Sequence, residues 1–214
     1  MTAIHQHDDL ADTIPTSPAV IAQTFATPVA RIARPYAEII NGQLAELVLA
    51  KADTTGNQYT YKTETLSDLM QWDNPTVEAL SAWVLQIAKQ FVQTLGRQQR
   101  PDLPDFEVVV GSSWASIYRT GDQHEAHFHP NTALTAIYYV QAPDACELDL
   151  IDPRAHVDYY DPGITIAGEG SRVRLRCRPG ELLLFPGWVK HAVPEFTGDG
   201  LRISISWNLG YKIT

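Results

Sequence analysis

The feature that most limits what this chain can fold into is a change of character after Pro104. From there on, short apolar or alternating runs are split by Gly, Pro and Asp, the pattern of an all-β sandwich or barrel. The spacing predicts strands at Phe106–Val110, Trp114–Arg119, Ala126–His129, Ala133–Val140, Glu147–Ile151, Arg172–Arg178, Glu181–Phe185, Lys190–Val193 and Arg202–Asn208. Pro179-Gly180 suits the two central positions of a type II turn, since proline presets the first φ and glycine accepts a positive second one. That turn is expected to join the Arg172 and Glu181 strands as a hairpin.

The front of the chain reads differently. Residues 1–24 carry two prolines, several Asp and Thr residues and no periodicity, as in a loose arm. Tyr36, Ile39, Ile40, Leu44, Leu47 and Val48 recur at three- and four-residue steps, one face of an amphipathic helix. A second helix is expected from an Asn74 cap and Pro75 to a stop near Gly96, with Val77, Leu80, Val84, Ile87, Phe91 and Leu95 as its buried stripe. The expected organisation is therefore an arm over 1–24 and one domain over 25–214, with a helical flank (25–103) and a β core (104–210).

Composition excludes several classes. A net charge of −9 opposes binding to a phosphate backbone, so no nucleic-acid partner is expected. No run approaches the roughly 18 apolar residues of a membrane span, and the acidic, polar N-terminus lacks the apolar stretch of a secretory signal. Two cysteines, Cys146 and Cys177, make no disulfide framework. A cytoplasmic setting is expected.

Three of the seven histidines lie in His124-Glu125-Ala126-His127-Phe128-His129. Side chains at i and i+2 of a strand share a face, so His127 and His129 are expected to point the same way and grip one cation. His191, 62 positions beyond His129 and just after an apolar strand and a Pro186-Gly187 loop, is the natural third ligand. A single such histidine is more often a hydrogen-bonded surface or core residue; the pair with His191 favours a metal. Further on, Arg202, Ser204, Ser206 and Asn208 alternate with Ile203, Ile205 and Trp207. The polar face suits an edge strand in water or the lining of a ligand-holding barrel, in which Arg202 would take a carboxylate through two parallel hydrogen bonds.

The ordered set of His-x-His, an aliphatic-Tyr-Tyr strand, Asp152-Pro153-Arg154, Pro179-Gly180-Glu181 with Phe185-Pro186, His191 and Arg202-x-Ser204-x-Ser206 resembles the 2-oxoglutarate/Fe(II)-dependent oxygenase superfamily. More narrowly it is similar to a group of functionally unassigned bacterial and phage oxygenases. The match spans about 104–210, with Phe25-Ala26-Thr27-Pro28-Val29 also like that group's opening. The resemblance implies a mainly β fold with flanking helices, a double-stranded β-helix or jelly roll of the cupin-like kind. It implies Fe(II) on His127, His129 and His191, and 2-oxoglutarate as cosubstrate on Arg202 and Ser204, with a hydrogen bond from Tyr118 or Tyr138. The activity implied is hydroxylation of an unidentified small-molecule or protein substrate with release of succinate and CO₂. The superfamily usually has an acid where His129 stands; Glu125, Asp149 and Asp152 are the alternatives to it.

Trp114, Asp152, Arg154 and Asn208 are candidates for the substrate pocket, and Trp114 and Trp188 for its mouth. Arg172, Arg174, Arg176 and Arg178 would share one sheet face, either as a patch for an anion or as an ordinary solvated surface. Two rival readings stand beside the oxygenase: a cupin-like metalloenzyme without a keto acid, and a non-catalytic jelly-roll binding module.

Overall fold

The computed structural model describes residues 26–59, 62–65, 68–154 and 171–214. The arm, Phe25, His5, His7 and His156 lie outside them. In chain order the elements are β1 (Ala30–Ala33), α1 (Ala37–Thr55), β2 (Gly56–Tyr59), β3 (Lys62–Thr65), a 3₁₀ turn (Leu69–Gln71), α2 (Pro75–Gln99), β4 (Phe106–Tyr118), β5 (His124–His127), β6 (Leu134–Gln141), β7 (Glu147–Ile151), β8 (Arg172–Arg176), β9 (Glu181–Pro186), β10 (His191–Val193) and β11 (Arg202–Ile213). They form two antiparallel sheets, a large one ordered β1-β9-β6-β11-β4-β3-β2 and a small one ordered β5-β10-β7-β8. The expected jelly roll with flanking helices is what the chain builds. None of the described helices is long and apolar enough to cross a membrane.

The helices pack on the outer face of the large sheet. Asn74 caps α2 by accepting from the amides of Thr76 and Val77, and Val77, Leu80, Val84 and Ala88 form its buried stripe. They meet Ala115 and Ile117 of β4, Ala136 and Tyr138 of β6, Leu182 and Leu184 of β9, and Ile203, Ile205 and Trp207 of β11. The Trp207 Nε1–H donates to Ser81 Oγ on α2 at 3.3 Å, so the buried indole keeps a polar partner. A second core lies between the sheets, built from the alternate residues of the same strands: Tyr118, Ile137, Tyr139, Leu183 and Phe185 against Leu148, Leu150 and Val193. Strand alternation thus separates helix-facing from barrel-facing side chains along β4, β6, β9 and β11.

Several expectations need correction. Gly96 does not stop α2, which runs on to Gln99; a β-carbon there would meet the Leu103 side chain at 2.9 Å, so close packing explains the glycine. In the first helix, Tyr36 and Ile39 are exposed, and Tyr36, at φ 56°, precedes the helix rather than starting its stripe. The two runs at Phe106 and Trp114 are one strand with an irregularity at Gly111, where Asn208 opposes Ser112 and Leu209 opposes Val110. The Pro179-Gly180 turn is present, with Gly180 at φ 77° and the Glu181 amide donating to Arg178 O at 3.2 Å. It does not close a hairpin, however: β8 pairs with β7, β9 pairs with β1 and β6, and the turn carries the chain from one sheet to the other.

Candidate metal centre

Strands β5 and β10 set His127 directly opposite His191. The Nδ1 of His127 lies 2.7 Å from Glu125 O and that of His191 lies 3.0 Å from Val189 O. A carbonyl can only accept, so each Nδ1 carries the proton and each Nε2 is left with a lone pair for a metal. His129 arrives by another route. Strand β5 ends at His127, so His129 stands in the following loop, where its amide donates to Gly187 O at 3.0 Å. The Gly187 amide in turn donates to Ala133 O, and the Ala133 amide to Leu209 O. These bonds tie the loop to the large sheet, and the His129 ring stacks on Trp114 with centroids 5.6 Å apart.

The result is that His129 Nε2 comes within 3.3 Å of His191 Nε2, and one ring nitrogen from each of the three histidines lies within 4.8 Å of the others. Metal–nitrogen bonds of about 2.1 Å place neighbouring ligand atoms about 3.0–3.4 Å apart. Burial holds all three rings neutral, pushing His191 down to about 3, His129 to about 4, and His127 below its ordinary value. Two unprotonated nitrogens this close repel unless a proton or cation lies between them. The cluster is arranged for a cation.

The acids weighed as alternatives to His129 are elsewhere. Glu125 is exposed. Asp149 is fully buried under Arg172 and Arg174, at 2.8 and 2.7 Å. Asp152 is held by Arg154, its Oδ1 accepting from Nε at 2.9 Å. That pair does not line the histidine pocket, so Asp152 and Arg154 are displaced from the place the sequence suggested.

The wall beside the rings is formed by the polar face of β11. Arg202, Ser204 and Ser206 point into the pocket, opposite Tyr118, Ser116 and Trp114 of β4. Arg202 is only 2% exposed, and its guanidinium lies over the rings of Tyr118 (4.5 Å) and Tyr139 (5.3 Å). Its Nε and Nη1 are buried without a hydrogen-bond partner, and no carboxylate among the described residues pairs with it. Tyr138 is not part of this wall. It faces the helices, where its hydroxyl donates to Asn41 Oδ1 on α1 at 2.8 Å. The neighbouring Tyr139 takes its place beside Arg202, as alternation from Ile137 requires. Asn208 also falls outside the histidine pocket and lines the adjoining cavity, donating to Ser112 Oγ.

Sequence reasoning missed Lys62 and Glu64 of β3, a strand it did not anticipate. Lys62 is buried, ion-paired to Glu64, and 3.1 Å from His124 Nδ1; the His124 ring stacks on His127 at 3.8 Å. Glu64 lines the pocket and accepts from Ser116 Oγ at 3.2 Å. A four-residue strand of polar composition carries little signal on its own.

Comparison with known proteins adds the chemistry. Residues 112–208 match the family model described as "Putative 2OG-Fe(II) oxygenase". From β4 to β11 the barrel is similar to the 2OG-Fe(II) oxygenases. No curated protein sequence matches the chain significantly, but solved structures share its fold. The α-ketoglutarate-dependent carbocyclase SnoK from nogalamycin biosynthesis superimposes with a TM-score of 0.63 at 12% identity, covering 86% of this chain and 79% of that one. A prolyl-4-hydroxylase from Pseudomonas putida gives 0.58 at 16%, covering 85% and 92%. HygX from Streptomyces hygroscopicus, solved with nickel and 2-oxoglutarate bound, gives 0.55 at 11%, covering 88% and 83%. Fe(II) and 2-oxoglutarate are thus named for the matched family, nickel and 2-oxoglutarate are bound in HygX, and the histidine cluster here is a set able to hold a metal ion.

Proposed function

We propose that His127, His129 and His191 hold the Fe(II) of this oxygenase, and that Arg202, with Ser204 and Tyr118, receives the far carboxylate of 2-oxoglutarate. The observation that carries this reading is Arg202 itself: a buried cation with two idle donors, on the wall of the pocket that holds the histidine cluster. An unpaired charge is costly to bury, and a planar guanidinium fits a carboxylate fork. A keto acid lying from Arg202 toward the rings would satisfy both its charge and the open metal face.

The iron, when bound, supplies the oxidation of a substrate C–H bond coupled to decarboxylation of 2-oxoglutarate to succinate. The chain's own residues do the rest. Three neutral imidazoles leave the cation's charge uncompensated, so the anionic cosubstrate contributes more to holding it than it would beside a carboxylate ligand. The Nδ1 bonds to Glu125 O and Val189 O fix two rings, and the Trp114 stack fixes the third. Ile137, Leu148 and Val193 form the apolar side of the pocket and limit water around the reacting centre. Cys146 and Cys177, buried and not disulfide-bonded, support a reducing compartment, the cytoplasm, as the place of work. The net charge of −9, with the arginines of β8 paired to acids, supports a substrate other than nucleic acid.

The test is an anaerobic titration of the purified protein with Fe(II) and then 2-oxoglutarate, followed by succinate release in air. The expected result is a visible charge-transfer band on adding 2-oxoglutarate, lost in His191→Ala, and slow succinate formation even without substrate. Iron binding without any response to 2-oxoglutarate would overturn the cosubstrate assignment and favour a cupin-like metalloenzyme.

A further inference from the structure

Strand β3 pairs with β4 through Thr63 and Glu64, and alternation puts Lys62 on the same face as Glu64, toward the barrel. Strand β5 meets them from the other sheet. Its register against β10 is irregular: His127 stands opposite His191 and His124 opposite Val193, so three steps along β5 match two along β10. The extra residue makes a bulge. In a regular strand, residues three apart point to opposite faces; here the bulge turns His124 and His127 to the same one. Their rings stack with centroids 3.8 Å apart and 27° between the planes. The Lys62 Nζ lies 3.1 Å from His124 Nδ1 and 3.3 Å from its Nε2. An ammonium can only donate, so the nitrogen it meets carries a lone pair. A positive charge is thereby seated on the ring that lies against a metal ligand.

Glu64 does not cancel that charge evenly. The Lys62 side chain is 4% exposed and turns to His124, whereas that of Glu64 is 19% exposed, lines the pocket and also accepts from Ser116 Oγ. Burial does most to lower the basicity of the three ligand rings; the Lys62 charge lowers all three further, and Glu64 counters it at His127. Three neutral imidazoles bring no negative charge of their own. Coulomb repulsion grows with the charge of the ion, so a fixed cation beside a metal opposes the higher oxidation state more than the lower one.

We infer that Lys62, acting through the His124 ring stacked on His127, is a positioning residue that sets the redox balance of the bound iron and favours Fe(II) over Fe(III). The inference rests on the three histidines being the iron ligands. It gives the short strand β3 a part in the chemistry: one of its side chains holds the metal in the oxidation state that the proposed reaction uses.

The test is an anaerobic, mediator-coupled redox titration of the iron-loaded full chain without 2-oxoglutarate, with Fe(III) read by its EPR signal. Lys62→Met should raise the Fe(III)/Fe(II) affinity ratio about tenfold, the order expected of one partly offset charge at an effective dielectric of about 20. For a one-electron couple that lowers the midpoint potential by about 59 mV. Glu64→Gln should move the potential the other way, and Lys62→Arg, which keeps the charge, should leave it near that of the unaltered protein. A purely structural ion pair would shift the first two variants alike. Shifts of one sign in Lys62→Met and Glu64→Gln, or no shift in either, would overturn the inference. Zinc binding checks the fold of each variant. If Lys62→Met no longer takes up Zn(II), Glu64→Gln decides alone, and a potential that falls or stays put there sinks the proposal. Failure of the unaltered protein to bind Fe(II) or Zn(II) sinks the ligand assignment instead.

Discussion

The large sheet is covered on both faces, by α1 and α2 on one side and by the small sheet on the other, whereas the small sheet turns one face to solvent. A polar residue on the same alternating pattern consequently means opposite things in the two sheets. On β11 the apolar set Ile203, Ile205 and Trp207 packs against the helices, which leaves Arg202, Ser204 and Ser206 pointing into the barrel. On β8 the arginines point outward: Arg172 and Arg174 bind Asp149, and Arg176 binds Asp144. One alternation marks a site and the other a surface. What distinguishes them is whether the apolar face has helices to cover it.

That contrast can be broken by substitution, and the largest effect should come from the polar face of the large sheet. Arg202→Ala is expected to weaken 2-oxoglutarate by roughly 100-fold or more, since a charged bidentate contact in a dry site is lost; iron affinity measured without cosubstrate should stay unchanged. A parallel loss of iron would show that the arginine supports the cluster and not the keto acid. On the helix-facing side, Leu80→Ala removes a fully buried side chain of α2 and should cost about 3 kcal/mol in urea unfolding. A cost under about 1 kcal/mol would mean that the helices do not seal that face.

Where the sheets meet, Gly187→Ala puts a β-carbon 2.3 Å from Thr132 O. The loop must shift and carry His129 with it, so iron affinity should fall about tenfold with the fold retained, as for loss of a group that orients a ligand. Calorimetric titration with Fe(II) under nitrogen reads this directly.

Smaller effects belong to the solvated sheet. The Arg174 and Arg172 guanidinium groups hold the Asp149 carboxyl below its ordinary range. A carboxyl lowered in the folded state contributes stability above its unfolded value of about 3.9 and loses it as the pH falls through the lower folded value. Asp149→Asn should therefore cost about 1 kcal/mol at neutral pH, a modest figure because both arginines are half exposed, and the difference should vanish in acid. Arg176→Ser, at the most exposed of these pairs, should change stability by less than about 0.5 kcal/mol. A larger loss there would make the arginine row more than a surface.

The same contrast explains what was legible in the sequence. The break at Pro104, the Asn74 cap and the Pro179-Gly180 turn are local signals, and each appears where local chemistry puts it. His191 was recognisable from the strand and loop before it. The partner of a strand is not local, and the Arg172 strand crosses to the other sheet although its turn suits a hairpin. His129 reaches the cluster through backbone bonds to Gly187, not through the strand alternation that pointed to it. Tyr138 and Tyr139 show the limit most plainly. Adjacent tyrosines face opposite ways, and only the pairing of β6 with β11 decides which one meets Arg202. Lys62 and Glu64 lie on a strand too short and too polar to announce itself.

One contact has a practical consequence. Because the Trp114 indole stacks beside His129, with ring centroids 5.6 Å apart and a 30° tilt, an open-shell ion on that imidazole would sit within several ångströms of a fluorophore. Iron or copper arriving there should dim tryptophan emission, and zinc, with its filled d shell, should leave it bright. The barrel carries its own optical gauge of occupancy, readable in a cuvette before any turnover is measured.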